Sequence, residues 1–191
     1  MLKKGLIVLM ASLCFNVSAS ERVQGTGVID HVVDGDTYWI KADRRTDLSK
    51  VIINAKSQNY RLQKNTFKAR ILNINTEESV HRQKDKNTSF GKLVSVLVKK
   101  ELNGKRITFI CDGVGYYGRP LCSVYINKQD YALSLVNRGL SPYVTKYGAH
   151  FNNHKGYVSA ELKAKRNRAG LWGPNKEQYV SQLPVVDYSA Q

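Results

Sequence analysis

The chain has 191 residues, of which 30 are Lys or Arg and 15 are Asp or Glu, for a formal charge of +15, and 42% are hydrophobic. That size suits one domain with a core of its own and leaves no room for a second large one. The charge excess favours a polyanionic partner, whether nucleic acid, anionic lipid or acidic glycan, and does not choose among them.

Lys3 and Lys4, the apolar run over 5–17 and the small residues Val17, Ser18 and Ala19 read as a secretory signal peptide over 1–19. The run is too short for a stable membrane span. Ala11-Ser12-Leu13 before Cys14 matches a lipobox poorly, so cleavage after Ala19 is expected. Cleavage removes two lysines and no acid, which leaves +13. No other long apolar run follows, so the mature chain is expected to be a soluble, exported monomer, periplasmic or secreted.

After a short segment over 20–25, residues 27–42 read as two strand pieces flanking Asp34-Gly35-Asp36-Thr37. Alone, that stretch is a tight turn in which Gly35 is expected to supply the positive φ. From 41 to 70 there are nine basic residues and two acids, Asp43 and Asp47. This stretch is expected to be an elaborated basic β-hairpin or loop, either a solvated insertion or an arm that contacts a polyanion. A strand over 67–74 contains Arg70 and ends at Asn75-Thr76-Glu77-Glu78, and 79–87 reads as a mobile loop.

Phe90, Leu93, Val94, Leu97, Val98 and Leu102 recur at helical spacing, with Thr88 or Ser89 as N-cap and Gly104 after the last turn. Two further strands, over 107–111 and 121–126, flank a hairpin connection. Cys111 and Cys122 are the pair left after export, and one disulfide is expected between them. A second helix starts near Asp130 and stops at Gly139. Pro142 keeps 140–147 extended or looped, a basic helix spans about 153–169, and the residues after Pro174 read as a tail. Short strands followed by helices indicate an α+β class, a small barrel with helices packed on it.

Asp34-Gly35-Asp36 is not an EF-hand, because Tyr38 and Arg45 fall where oxygen ligands are required. His150 and His154 are spaced to share a metal on one helical turn, but no Glu follows His150 as a zincin needs.

Val33-Asp34-Gly35-Asp36-Thr37, the run from Arg70 through Asn75-Thr76-Glu77-Glu78, Tyr117-Gly118-Arg119 and Arg168-Ala169-Gly170-Leu171-Trp172 together resemble the staphylococcal nuclease (thermonuclease) family over 26–173. The resemblance implies a five-stranded OB-fold barrel with three packed helices. It also implies Ca²⁺-dependent hydrolysis of DNA and RNA that breaks the P–O5′ bond and leaves a 3′-phosphate. Carried over by position, Asp36 is a Ca²⁺ ligand, Thr76 gives its backbone carbonyl, and Asn75 stands where the family has a ligand Asp. Glu78 positions or deprotonates the attacking water, Arg70 and Arg119 grip the phosphate, and Tyr117 and Tyr147 contact the nucleotide.

Such a set meets the demands of phosphodiester hydrolysis, which needs cations on the phosphoryl oxygens, an oriented water and oxygen ligands for a hard metal. There are two departures from the family pattern. Asn75 removes one charge from the metal site, for which Glu77 or Asp34 is a candidate compensator, and the basic segment 43–66 is much longer than the turn in compact members. The alternative is a noncatalytic nucleic-acid-binding OB-fold module with a weakened metal site. After the domain, 174–191 is expected to be a C-terminal tail.

Overall fold

The computed structural model describes residues 22–188. The expected signal peptide and Cys14 lie outside the described residues. Seven strands, β1 (Val23–Asp34), β2 (Thr37–Ala42), β3 (Tyr60–Arg61), β4 (Thr66–Ile71), β5 (Arg106–Val114), β6 (Pro120–Ile126) and β7 (Gln129–Asp130), form one sheet in the order β3-β4-β2-β1-β5-β6-β7. The five long strands close on themselves through a parallel pairing of β4 with β6 at Arg70↔Leu121 and Ile71↔Cys122. Every other strand pair is antiparallel. This mixed five-stranded barrel with helices is the α+β, OB-type architecture expected from the sequence.

The barrel closes because β1 bends. Its pairing with β2 shifts register between Ile29 and His31 and again between Val32 and Asp34, and such bulges add twist to a strand. The inward residues Ile29, Tyr38, Ile40, Phe67, Phe109 and Val124 are fully buried and fill the interior. Phe67 and Phe109 meet edge to face at 5.3 Å between ring centroids.

The described residues form five α-helices, α1 (Leu48–Val51), α2 (Ser89–Leu102), α3 (Tyr131–Asn137), α4 (His154–Arg166) and α5 (Lys176–Gln182); α2 and α3 pack on the barrel, α4 on α3 and α5 on α2. For α2, the Thr88 hydroxyl accepts from Gly91 N at 2.9 Å, and Phe90, Val94, Leu97, Val98 and Leu102 are buried against β1. Asp130 caps α3 by accepting from Leu133 N at 3.3 Å. Cys111 and Cys122 lie opposite each other on β5 and β6 and are joined by a disulfide.

The sequence reading needs correction in two segments. The stretch 43–66 is neither a plain hairpin nor a loop: it holds α1, two short 3-10 turns (Ser57–Asn59 and Leu62–Lys64) and β3, which pairs with β4. It is built in because Leu48, Val51 and Asn59 are buried. The stretch after Pro174 is not simply a tail, since α5 packs on α2 and buries Val180.

A buried ion pair joins the helices. Glu101 on α2 is wholly inaccessible to solvent, and both its oxygens receive Arg138, Nη1 and Nη2, at 3.0 Å. Glu101 also accepts from Tyr131 Oη at 2.5 Å and from Val186 N at 3.1 Å. With four donors on one carboxylate, the desolvation cost is met only while Arg138 is present. Arg138→Met therefore leaves a buried charge unpaired and should cost about 3–5 kcal/mol of stability in urea denaturation.

Candidate active-site cleft

Asp34 ends β1 and Thr37 begins β2, so Gly35 and Asp36 form a two-residue turn. Gly35 does not adopt a positive φ, contrary to the turn chemistry expected from Asp-Gly. The position needs glycine for space, because a Cβ there would lie 2.6 to 2.9 Å from the Thr76 side chain. That close approach lets Asp36 Oδ2 accept from Thr76 N at 3.0 Å and from Thr76 Oγ1 at 3.3 Å. Asp36 Oδ1 accepts from Thr37 Oγ1 at 3.2 Å.

Strand register places Arg70 across from Thr37. Arg70 Nη1 pairs with Asp36 Oδ2 at 2.5 Å, while Nη2 donates to Asn75 Oδ1 at 2.8 Å and to Ile74 O at 3.0 Å. Arg119 comes from the β5–β6 connection and donates from Nη1 to Thr37 Oγ1 at 2.8 Å. Arg70 from β4 and Arg119 from the residue before β6 thus reach the neighbouring residues Asp36 and Thr37, because barrel closure pairs β4 with β6.

Asp36, Arg70, Asn75, Glu78, Tyr117, Arg119 and Tyr147 all line one cleft of about 570 Å³. Of the residues expected at the site, Thr76 alone lies beneath the wall, buried against Asp36. Tyr117 and Tyr147 are exposed at the cleft, with Arg119 and Lys146 respectively beside their rings at 5.7 Å. A larger groove of about 820 Å³ between α3 and α4 contains none of the expected residues.

Asp34, Asp36 and Glu78 all line the cleft. Burial pushes the Asp34 carboxyl up to about 6, and the charges of Asp36 and, less strongly, Glu78 add to the effect. Among the described residues, no three His, Cys, Asp or Glu side chains are grouped to hold a metal. The donors present nevertheless fit a hard cation. The oxygens Asp36 Oδ2 and Asn75 Oδ1 converge on a single cationic group, the Arg70 guanidinium, and the carboxylates around them are all oxygen donors of the kind Ca²⁺ takes. Glu77 is turned to Lys176 of α5, so Asp34 is the extra carboxylate facing the cleft.

Sequence reasoning missed Asn59, Lys56 and Lys68. Asn59 is buried, and its Nδ2 donates to Tyr117 O at 3.1 Å and to Gly118 O at 2.8 Å. Lys56 N donates to Gly118 O at 3.0 Å. Gly118 has φ +73, and a Cβ there would run into the Lys56 side chain at 2.3 Å. The inserted segment is therefore a buttress for the turn that carries Tyr117 and Arg119. No local pattern announces it, since the partners are 58 and 59 residues apart. His150 and His154 do not share a metal site: His150 Nε2 lies 3.3 Å from Asp130 Oδ2, and His154 Nδ1 lies 2.8 Å from Tyr143 Oη.

The sequence model of a family described as staphylococcal nuclease homologue matches residues 68–174, more than half of the chain. The match takes in Arg70, Asn75, Thr76, Glu78, Tyr117, Arg119 and Tyr147 and begins after Asp34 and Asp36 of the turn. An uncharacterized protein of Bacillus anthracis is 30% identical over 151 residues, covering 76% of this chain and 60% of its own length. An uncharacterized protein of Methanocaldococcus jannaschii is 24% identical over 152 residues, covering 76% of this chain and 70% of its own. The chain thus spans less than two thirds of the Bacillus relative.

Asn59→Ala removes both side-chain hydrogen bonds to the 117–118 backbone and should cost about 1–3 kcal/mol. Amide exchange at 115–119 should quicken while the central barrel strands stay protected, as read by mass spectrometry.

Proposed function

The chain belongs to the staphylococcal nuclease homologue family, and from that premise we propose that it is an exported, Ca²⁺-dependent nuclease hydrolysing phosphodiester bonds of DNA and RNA to leave 3′-phosphate ends. The observation that carries this reading is the convergence of Asp36, Arg70, Asn75, Glu78 and Arg119 on one cleft with two exposed tyrosines. Export is supported by the leader-like residues 1–19 and by the Cys111–Cys122 disulfide, a bond that persists in oxidising compartments.

Arg70 and Arg119 are the phosphate grip. Their planar forks match phosphoryl oxygens and stabilise the charge that grows there as the nucleophile attacks. To take the phosphate, Arg70 releases the oxygens of Asp36 and Asn75. Those oxygens and the Thr76 carbonyl would then hold the cation, with Asp34 supplying charge that Asn75 lacks. A Ca²⁺ held there would neutralise negative charge on the phosphoryl group. Glu78 takes the proton of the attacking water as the P–O5′ bond breaks, and the departing 5′ oxygen picks up a proton from solvent. Tyr117 and Tyr147 lie against the nucleotide.

Mature protein incubated with plasmid DNA should cleave it at millimolar Ca²⁺ and leave it intact in EDTA. Cleavage undiminished by EDTA, or none with Ca²⁺, defeats the reading. Arg70→Ala and Arg119→Ala should each lower turnover about a hundredfold or more, with circular dichroism unchanged.

The amide at Asn75 favours a second reading, a nucleic-acid-binding module without turnover. Asn75→Asp separates the two in the same assay. A modest change in rate and tighter Ca²⁺ binding are expected of a working enzyme, whereas cleavage gained from nothing identifies the module.

A further inference from the structure

We propose that the cleft continues into a track for single-stranded nucleic acid over the outer face of β2, β3 and β4, with Arg61 and Lys68 as its phosphate contacts. The track extends the site argued above and rests on that reading for its role in substrate binding.

Strand alternation defines this outer face. On β4, Phe67, Ala69 and Ile71 point into the barrel, so Lys68 and Arg70 share the outer face. Lys68 lines the cleft together with Arg119. Across from Lys68 on β2 stands Trp39, and Arg61 reaches the same spot from β3 at the sheet edge. The Arg61 guanidinium lies 4.5 Å from the centroid of the Trp39 ring and the Lys68 ammonium 5.3 Å from it. His31 stacks on the indole at 6.0 Å.

Two cations therefore crowd one ring, and neither has a carboxylate partner among the described residues. The charges acting on Lys68 are those of Arg119 and Arg61 against the single carboxylate of Asp34. Burial, then the two arginines, pull its ammonium pKa below the usual value. Like charges brought together without neutralisation oppose folding, and a chain of phosphates relieves that repulsion. The cations run from Arg119 through Lys68 to Arg61, out of the cleft and along the barrel wall.

The arrangement selects a single strand. Trp39 is only 6% exposed, so bases do not reach the indole. What they meet is the exposed guanidinium of Arg61, a planar cation backed by the ring, on which an unpaired base stacks. Bases held in a duplex cannot turn to that surface.

Fluorescence anisotropy in EDTA tests the track without turnover, using a labelled oligothymidylate of about a dozen nucleotides, within the usual span of such sites, and a dinucleotide. The longer strand should bind more tightly, and Arg61→Ala should lower its affinity about fivefold or more. Arg61→Ala with Lys68→Ala should reduce the slope of log K against log salt by about 1.4, the value for two lost phosphate contacts on a single strand. Binding should also change the emission of Trp39 in a Trp172→Phe background.

Lys128→Ala with Lys163→Ala, which removes the same charge beside the groove between α3 and α4, should change affinity less than twofold. Equal losses in this control overturn the proposal, as does a duplex of the same length bound equally well through Arg61. Cleavage that survives with binding indifferent to Arg61 and Lys68 removes the track and spares the nuclease reading. Arg61-dependent binding without any cleavage removes the nuclease reading and spares the track.

Discussion

The parallel seam between β4 and β6 governs the geometry of the cleft. Without it the strands would form an open sheet, with Arg70 in one hairpin and Arg119 in another. At the seam Arg70 pairs with Leu121, two residues beyond Arg119, and the two cations come to contact the adjacent residues Asp36 and Thr37. The Cys111–Cys122 bond lies directly behind, because Cys122 is also the seam partner of Ile71 and its carbonyl accepts from Leu72 N. A covalent link between β5 and β6 thus holds the strand whose position decides where Arg119 points.

The turn itself is organised by Asp36. Its carboxylate takes a backbone amide and a hydroxyl from Thr76, a hydroxyl from Thr37 and the guanidinium of Arg70. Asp36 is therefore structurally committed, and its neighbour Asp34 carries the electrostatic strain, with its carboxyl raised by burial and by Asp36. Asp36 is the carboxylate that packs, and Asp34 beside it lines the cleft together with Lys68, whose ammonium its charge favours. Substitution at either position perturbs fold and site together, so loss of activity alone would not assign a role.

Much of the fold was legible because it rests on local periodicity. The spacing of Phe90 through Leu102 and the cap at Thr88 mark α2, and the β-prone runs around 34–37 mark the first hairpin. The site was legible mainly through motif resemblance, since nothing local says that Arg70 and Arg119 meet. The segment 43–66 misled because its exposed basic residues outnumber the few that anchor it, Leu48, Val51 and Asn59. Gly35 misled for another reason: its demand is set by Thr76, forty-one residues on, and not by its own backbone angles. Helix α5 is short and its single deeply buried side chain, Val180, gives no period to read.

The barrel has a temporal consequence. The first described strand, β1, pairs with β5, with Val23 across from Cys111, and Glu101 receives its last donor from Val186. Neither the barrel nor the helical layer can be finished while the chain is still emerging from a ribosome, because the partners of the early residues arrive late. Contacts so distant in sequence are slow to form, typically in milliseconds to seconds, and leave unpaired strand edges exposed meanwhile. Lys64 and Lys68, just before and on β4, place positive charge along the strand that stays open until the seam shuts.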